Sequence, residues 1–523
     1  MALKLNSVLI TDDVDPKCID ILKRNGVEVV FNPKLAKDKE ALLAELPRHD
    51  GLIVRSATKV TADVINASNL SIIGRAGTGT DNIDSVAATN KGVIVMNTPG
   101  GNTISAAELT CAMICGLSRN IGTACISMKE GRWDRKLFMG SELQGKTLAV
   151  VGLGRIGREV ASRMRSFGMK TIGYDPLVSA EESAAFDVTS YPLEELWPLA
   201  DYITVHVPLI PPTKNLINGS VFSKCKKGVK VINCARGGII DEVELLEALN
   251  SGQCGGAGLD VFVQEPPKDQ SLVQHPNVLA TPHLGASTTE AQSRVAEEIA
   301  QQFIDARDGK SLFGALNAKA LVNAMDPVQQ PMIELGRCMG VMASCVVSAP
   351  SKLLVKASGD AGMKTALSFL PAAVGIGLMK NSALNLINAP ALAKAAGYEL
   401  CTEYVAGGDN SVSLVQDGVN LFTGCVEGKC SVLTQLAGVP LHNAMTLVSG
   451  SSYIMFTTST KQAKDEALIT LLGSLGSQGV AVSSLVTGSS ETNGACLVQL
   501  SSAPLNTEAL AAAGIQVCKH FVL

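Results

Sequence analysis

Thr147-Leu-Ala-Val-Val-Gly152-Leu-Gly154-Arg-Ile-Gly157 decides the fold. An apolar run ends on a glycine, and three glycines at the G-x-G-x-x-G spacing open a helical pattern, so the stretch reads as strand, tight turn and helix. Gly152 permits the turn, Gly154 lets backbone amides approach a pyrophosphate, and Gly157 lets the helix pack against the strand, with the phosphates on the helix N-terminus. Asp175 lies 18 residues beyond Gly157, at the end of the next apolar run in Gly173-Tyr-Asp-Pro176. A carboxylate there takes both ribose hydroxyls and repels a 2'-phosphate, so NAD is expected rather than NADP.

Outward from this stretch, apolar runs continue through Lys170 to Tyr174, Tyr202 to His206, Val229 to Asn233, Gly255 to Leu259 and Asn277 to Thr281, six in all. A similar alternation precedes it at Ser7 to Thr11, Val27 to Phe31, Gly51 to Arg55, Leu70 to Gly74 and Val93 to Asn97. Each series predicts a parallel sheet flanked by helices. The expected class is α/β: two doubly wound parallel-sheet domains, one for substrate and one of Rossmann type for NAD, followed by a C-terminal α+β region. Ser105-Ala-Ala-Glu108 has capping-box spacing and predicts the start of a long helix, whose Ala106 to Leu117 face is a candidate dimer surface. An amphipathic helix is expected from about Thr288 to Asp308, leading back to the first sheet. The expected domains are 1–100 with 288–315 for substrate, 101–287 for NAD, 316–450 as an intervening regulatory-type domain and 451–523 as an ACT-like domain. The last of these parses as strand (Tyr453 to Thr458), helix (Asp465 to Ser477), strand (Val480 to Val486), strand (Ala495 to Leu500), helix (Asn506 to Ala513), strand (Ile515 to Phe521), a ferredoxin-like pattern.

The 523 residues are 18% charged, with 44 Lys+Arg against 48 Asp+Glu, and offer no cationic surplus for nucleic acid or an anionic membrane. Mean hydropathy is +0.24, but the longest apolar stretch, Phe369 to Met379, contains Pro371 and is too short to span a bilayer. It reads as buried core. Met1 to Asp13 resembles neither a signal nor a transit peptide, so the cytosol is expected. The 14 Cys contain no CxxC pair and the 6 His form no ligand cluster with them, so free thiols are expected and no metal.

Ligands of open parallel sheets sit outside the strand C-termini, where this chain places reactive side chains. Cys234-Ala-Arg236-Gly-Gly238 follows one strand, Asp260 and Glu265-Pro-Pro267 the next, and Pro282-His283-Leu-Gly285 the last. Hydride can leave a secondary alcohol carbon only as the hydroxyl proton is removed, and His283 has the chemistry of that base. A carboxylate on its other ring nitrogen fixes the tautomer and favours the imidazolium, the role expected of Glu265. Arg236 can clamp a substrate carboxylate with two bonds. His206 has no following acid and reads as structural, while the Val207-Pro208 backbone lines the cofactor pocket. Cys234 reads as a small residue at a tight strand end.

These motifs resemble the D-isomer-specific 2-hydroxyacid dehydrogenases over roughly residues 5 to 315. The likeness rests on Val150 to Gly157, Lys226 to Asp241, Leu259 to Pro267 and Thr281 to Ala286, with Val54-Arg-Ser56, Gly74 to Asp84 and Trp133-Asp-Arg135 pointing to members whose hydroxyacid carries a phosphate. The resemblance implies that Arg236, Glu265 and His283 act as above. It implies cofactor contacts from Thr78, Arg155, Ile156, Asp175, Val207, Cys234, Ala235, Arg236, Asp260 and His283, Leu284, Gly285 and Ala286. It implies substrate contacts from Arg55, Ser56, Gly79 and Asn102. Arg75 and Arg135 are the further cations a phosphate needs, the latter from a neighbouring subunit. The implied reaction is NAD-dependent oxidation of 3-phospho-D-glycerate to 3-phosphooxypyruvate in serine synthesis, by a homodimer or homotetramer, with reduction of 2-oxoglutarate-like keto acids as a side reaction. The alternatives are a hydroxypyruvate or glyoxylate reductase and an NAD-sensing corepressor-like binding protein. Relatives with this length regulate through an ACT-type domain, but Thr457 to Lys464 lacks the Gly-containing turn that binds amino acids in responsive ones.

Overall fold

The structure is a computed structural model and describes residues 3–490, 493–501 and 518–523. The first series of runs forms β1 (Ser7–Ile10), β2 (Glu28–Phe31), β3 (Gly51–Val54), β4 (Ile72–Arg75) and β5 (Ile94–Asn97), a parallel sheet ordered β2-β1-β3-β4-β5. β1, β3 and β5 are buried along their whole length, as strands covered on both faces must be. One cover is the helix Thr289–Arg307, whose first turn is capped by Thr288 through the amide of Ala291. Its Val295, Ile299 and Phe303 join the core of this sheet. They fit because Gly51 and Gly74 leave the room: a Cβ at Gly74 would stand 2.4 Å from the Phe303 ring.

The second series forms β6 (Thr147–Val151), β7 (Lys170–Tyr174), β8 (Thr189–Ser190), β9 (Tyr202–Val205), β10 (Val229–Asn233), β11 (Cys254–Leu259) and β12 (Val278–Ala280), ordered β12-β11-β10-β9-β6-β7-β8 and parallel throughout. The sheet has seven strands rather than six, because the two residues of β8 are too few to carry an apolar signal. Strand order reverses between β6 and β9, so a crevice for a ligand opens beyond Val151 and Val205.

The helix after β5 runs Thr103–Ser118 with Asn102 at its N-cap position, three residues before the expected cap. Ser105 is inside its first turn, and the hydroxyl bonds Thr288 Oγ1 at 2.6 Å instead of capping. Nor is this helix a dimer surface: Ala107, Met113, Ile114 and Leu117 are buried against Leu148, Val150 and Val160 of the second sheet's domain. The exposed apolar side chains follow it, at Ile121, Ile126 and Met128 of the helix Ile121–Lys129 and at Trp133, Leu137 and Met139 beyond. Among the described residues no single helix is long and apolar enough to cross a membrane. The two helices just named pass by length and composition together but meet at 68°.

Beyond residue 316 lie β13 (Ser351–Gly359), β14 (Tyr398–Gln416), β15 (Val419–Glu427), β16 (Cys430–Leu436), β17 (Val439–Thr446), β18 (Ser452–Thr458), β19 (Val482–Ser489), β20 (Gly494–Leu500) and β21 (Cys518–Val522). They share one sheet ordered β13-β14-β15-β16-β17-β19-β20-β18-β21. The Ala/Gly-rich texture has a packing cause. The helices Gln330–Ala343 and Leu370–Met379 pack face to face, and a Cβ at Gly340 or Gly377 would stand 2.0 Å from a carbonyl oxygen of the other helix. The order β19-β20-β18-β21, antiparallel with the helix Lys461–Ser477 after β18, is the ferredoxin-like arrangement. The helix expected at Asn506 to Ala513 falls outside the described residues. This half docks on the first sheet's domain: Asn385 Nδ2 donates to Gly92 O at 3.0 Å and Ile387 enters that domain's core.

Candidate active site

β6 delivers the glycine turn to the crevice. Gly152 has φ +96, and a Cβ there would stand 2.5 Å from His206 O; at Gly157 it would stand 2.0 Å from Gly152 O, whereas at Gly154 it would meet nothing within 4 Å. Two glycines therefore serve close packing, and the middle one faces open space at the N-terminus of the helix Arg155–Arg165. That cradle fits a pyrophosphate on backbone amides. Asp175 follows β7 beside it and accepts from Leu153 N at 2.8 Å and Leu177 N at 2.9 Å, so it stiffens the turn. His206 accompanies Thr204 Oγ1 at 3.0 Å and is pushed down to about 4 by burial, which keeps it neutral and structural. Burial pushes the Cys234 thiol up to about 12, with Sγ 3.5 Å from Met113 Sδ, so it stays an un-ionised thiol.

His283 follows β12 and adopts a left-handed backbone, φ +56. Asp260 holds this turn: its carboxylate accepts from Thr281 Oγ1 at 2.6 Å, Leu284 N at 2.7 Å and Gly285 N at 2.8 Å, and its carbonyl from His283 N at 2.9 Å. Fully buried, Asp260 thus acts on the site through the turn it builds. His283 Nδ1 and Glu265 Oε2 are 2.7 Å apart, and Glu265 Oε1 accepts from Phe262 N at 3.1 Å. The carboxylate is held at one end by backbone and meets the ring at the other. Glu242, absent from the sequence reading, steadies the same loop by accepting from Val263 N at 2.6 Å.

Arg236 follows β10. Its Nε donates to Asp81 Oδ2 at 2.8 Å and its Nη1 to Ala235 O at 2.6 Å, and its Nη2 lies where a Cβ on Gly79 would be, 1.6 Å away. Arg75, ending β4, donates from Nε to Asn82 Oδ1 at 3.0 Å; Arg55, after β3, donates from Nη1 to Asp13 O at 3.0 Å. Burial, then Arg236 and Arg55, push Arg75 down to about 10, with Asp81 and Asp12 opposing. Burial lowers Arg55 in the same way. Three guanidiniums from both sheets therefore share one partly desolvated place, which an anion of several charges would satisfy.

Among the other expected residues, Thr78 Oγ1 donates to Asn102 Oδ1 at 2.6 Å, joining the glycine-rich loop after β4 to the start of the helix Thr103–Ser118. Asp12 accepts from Ala57 N and Thr58 N, shaping the exposed Ser56 loop. Arg135 does not join the cluster in this chain; it is exposed on the loop beyond Lys129, in the same stretch as the apolar side chains Trp133, Leu137 and Met139. Within Gly74 to Asp84 the sequence reading gives Asp81 and Asn82 no role of their own, because an acid beside an anion site carries no chemical signature. Among the described residues no group of His, Cys, Asp and Glu could hold a metal ion.

Residues 111–285 match the model of the D-isomer specific 2-hydroxyacid dehydrogenase, NAD binding domain. Over 490 residues the chain is 51% identical to D-3-phosphoglycerate dehydrogenase of Homo sapiens, covering 91% of each. The chain belongs to the D-isomer-specific 2-hydroxyacid dehydrogenases. It is also 45% identical to D-3-phosphoglycerate dehydrogenase of Bacillus subtilis over 382 residues, 72% of this chain and 73% of the relative. Among solved structures of this dehydrogenase family, it resembles a D-lactate dehydrogenase from Aquifex aeolicus complexed with NAD and lactic acid. That match has a TM-score of 0.52 and 27% identity, covering 58% of this chain and 96% of the other. A glyoxylate reductase from Paecilomyes thermophila gives a TM-score of 0.55 and 26% identity, covering 60% and 98%. The two parallel sheets are thus the dehydrogenase, its second sheet is the NAD domain, and the chain is an NAD-dependent oxidoreductase.

Proposed function

We infer that this dehydrogenase oxidises 3-phospho-D-glycerate at C2 to 3-phosphooxypyruvate, the step that commits carbon to L-serine. The observation that carries the substrate is the convergence of Arg55, Arg75 and Arg236, more guanidinium than one carboxylate needs and enough for a carboxylate and a phosphate together. The curated relatives named D-3-phosphoglycerate dehydrogenase support the same reading. Bound NAD supplies the acceptor for the C2 hydride. Gly152, Gly154 and Gly157 with the helix from Arg155 would hold its pyrophosphate, and Asp175 its ribose.

Arg236 takes the substrate carboxylate and polarises the C2 oxygen. His283, with Nδ1 engaged by Glu265, presents Nε2 to the C2 hydroxyl and accepts its proton. The Glu265 carboxylate balances the imidazolium that results. In reduction the same proton returns from Nε2. Arg75 and Arg55 take the phosphate, which anchors the far end of the substrate and converts its binding into orientation at C2.

We place the enzyme in the cytosol, the reducing compartment in which its many thiols would stay unpaired, and assign it a homo-oligomeric state. The support for the oligomer is the exposed apolar group Ile121, Ile126, Met128, Trp133, Leu137 and Met139, next to which Arg135 would serve the partner subunit's site. Light scattering after gel filtration reads the mass, and Met128→Glu should lower it.

NADH formation with 3-phospho-D-glycerate, beside D-glycerate at equal concentration and with a trap for the keto product, tests the substrate. A preference of at least about 100-fold for the phosphorylated acid is expected from two charge-assisted contacts. Equal rates would move the function to an unphosphorylated hydroxyacid.

A further inference from the structure

Asp81 lies inside the Gly74 to Asp84 stretch that carries the resemblance, yet nothing above gives it a role of its own. It sits on the loop between β4 and the helix Ser85–Lys91, in the first sheet's domain, and reaches Arg236 at the end of β10 in the second. Its side chain is 68% exposed, and an ion pair so open to water adds little to stability. The contact has a geometric consequence instead.

A guanidinium carries one N–H on Nε and two on each terminal nitrogen, and it grips a carboxylate through one of two edges, Nε with Nη2 or Nη1 with Nη2. Asp81 occupies Nε at 2.8 Å, which closes the first edge. Ala235 O takes one N–H of Nη1 at 2.6 Å and anchors the planar group to its own strand end. Nη2 stands over Gly79, where no Cβ fits. The remaining N–H groups of Nη1 and Nη2 form the only edge open to a two-bond grip.

We propose that Asp81 is a positioning residue which, by holding Nε, makes Arg236 receive the substrate carboxylate on its Nη1–Nη2 edge and so sets where C2 lies relative to His283. The role also explains an acid tolerated beside three arginines: it partners the one nitrogen the substrate does not use. The inference rests on Arg236 binding the carboxylate, as in the reaction above, and does not depend on the phosphate.

The test compares the full-length enzyme with its Asp81→Ala and Asp81→Asn variants in the reduction of 3-phosphooxypyruvate and of hydroxypyruvate. Oxalate and inorganic phosphate serve as inhibitors, and NADH binding is read by fluorescence. Asp81→Ala is expected to lower kcat/KM on both substrates by about 10- to 100-fold, the scale of a guanidinium misplaced by about 1 Å. NADH affinity and melting temperature should stay unchanged. Inhibition by oxalate should weaken with the loss of activity, while inhibition by inorganic phosphate holds. Asp81→Asn, whose amide oxygen still accepts from Nε, should stay within about threefold of wild type. Wild-type activity in Asp81→Ala, an Asp81→Asn variant as poor as Asp81→Ala, or equal weakening of oxalate and phosphate would each overturn the assignment. Should wild type not distinguish the two keto acids, the phosphorylated substrate is wrong, yet the hydroxypyruvate arm still decides the part played by Asp81.

Discussion

Arg75 gives the site its sharpest energetic signature, because it is held in the ligand-free fold at a cost. Its pKa falls from 12.5 to about 10 through burial and through Arg236 and Arg55. At about 1.4 kcal/mol for each tenfold change in proton affinity, the folded chain holds this charge about 3 kcal/mol less favourably than the unfolded chain does. The sign follows from the depression: the cost is present at every pH below about 10 and fades only as pH rises from there toward 12.5. Arg75→Met keeps the length, removes the charge and forfeits the 3.0 Å bond to Asn82, worth about 1 kcal/mol. A net gain of about 2 kcal/mol remains, or about 4–8 °C in the transition of the first domain. Differential scanning calorimetry of the ligand-free protein at pH 7.5 reads it. Saturating 3-phospho-D-glycerate should then raise the melting temperature of wild type but scarcely that of Arg75→Met, so that the order of stability reverses. A ligand-free variant that melts at or below wild type would refute the claim that the fold holds the Arg75 charge at a cost.

Other perturbations isolate other parts. His283→Ala should abolish turnover in both directions while calorimetric NAD binding survives; retention of most activity would remove His283 as the base. Gly79→Ala places a methyl 1.6 Å from Arg236 Nη2, so kcat/KM should fall by about 100-fold with NADH affinity intact, and normal kinetics would mean Arg236 works elsewhere. Asp175→Ala should weaken NAD more than NADP and, by freeing the amides of Leu153 and Leu177, weaken both to some degree; an unchanged preference contradicts its ribose role. Iodoacetamide at pH 8 should label the exposed Cys430 before Cys234, whose thiol stays protonated until about pH 12. Peptide mass spectrometry showing Cys234 modified first would disprove that.

The catalytic half was legible because its signals are dense and local. A strand buried on both faces writes itself as an unbroken apolar run, and Gly152 to Gly157 or Pro282-His283-Leu-Gly285 occupy consecutive positions. The role of Asp81 was invisible because its partner lies 155 residues away and an exposed acid has no periodicity. Ser105 misled because serine followed three residues later by glutamate fits a helix start as well as a first turn whose hydroxyl bonds a remote threonine. Ala106 to Leu117 misled as a dimer surface since an apolar helix face looks the same whether a partner or its own sheet covers it. β13 to β17 were not read at all: Gly340 and Gly377 serve a helix crossing, and exposed stretches of β14 break the alternation of apolar and polar residues on which a strand reading depends.

The docking of Asn385 on Gly92 and of Ile387 in the first domain's core also fixes how the molecule is partitioned. The contacts of the C-terminal half described above fall on the first sheet's domain. The NAD domain is joined to that body by two crossings of the chain, before Thr103 and after Gly285, which the Ser105–Thr288 hydroxyl pair fastens side by side. The large C-terminal sheet is thus anchored on the half of the cleft that carries Arg55 and Arg75, not on the half that carries the glycine turn.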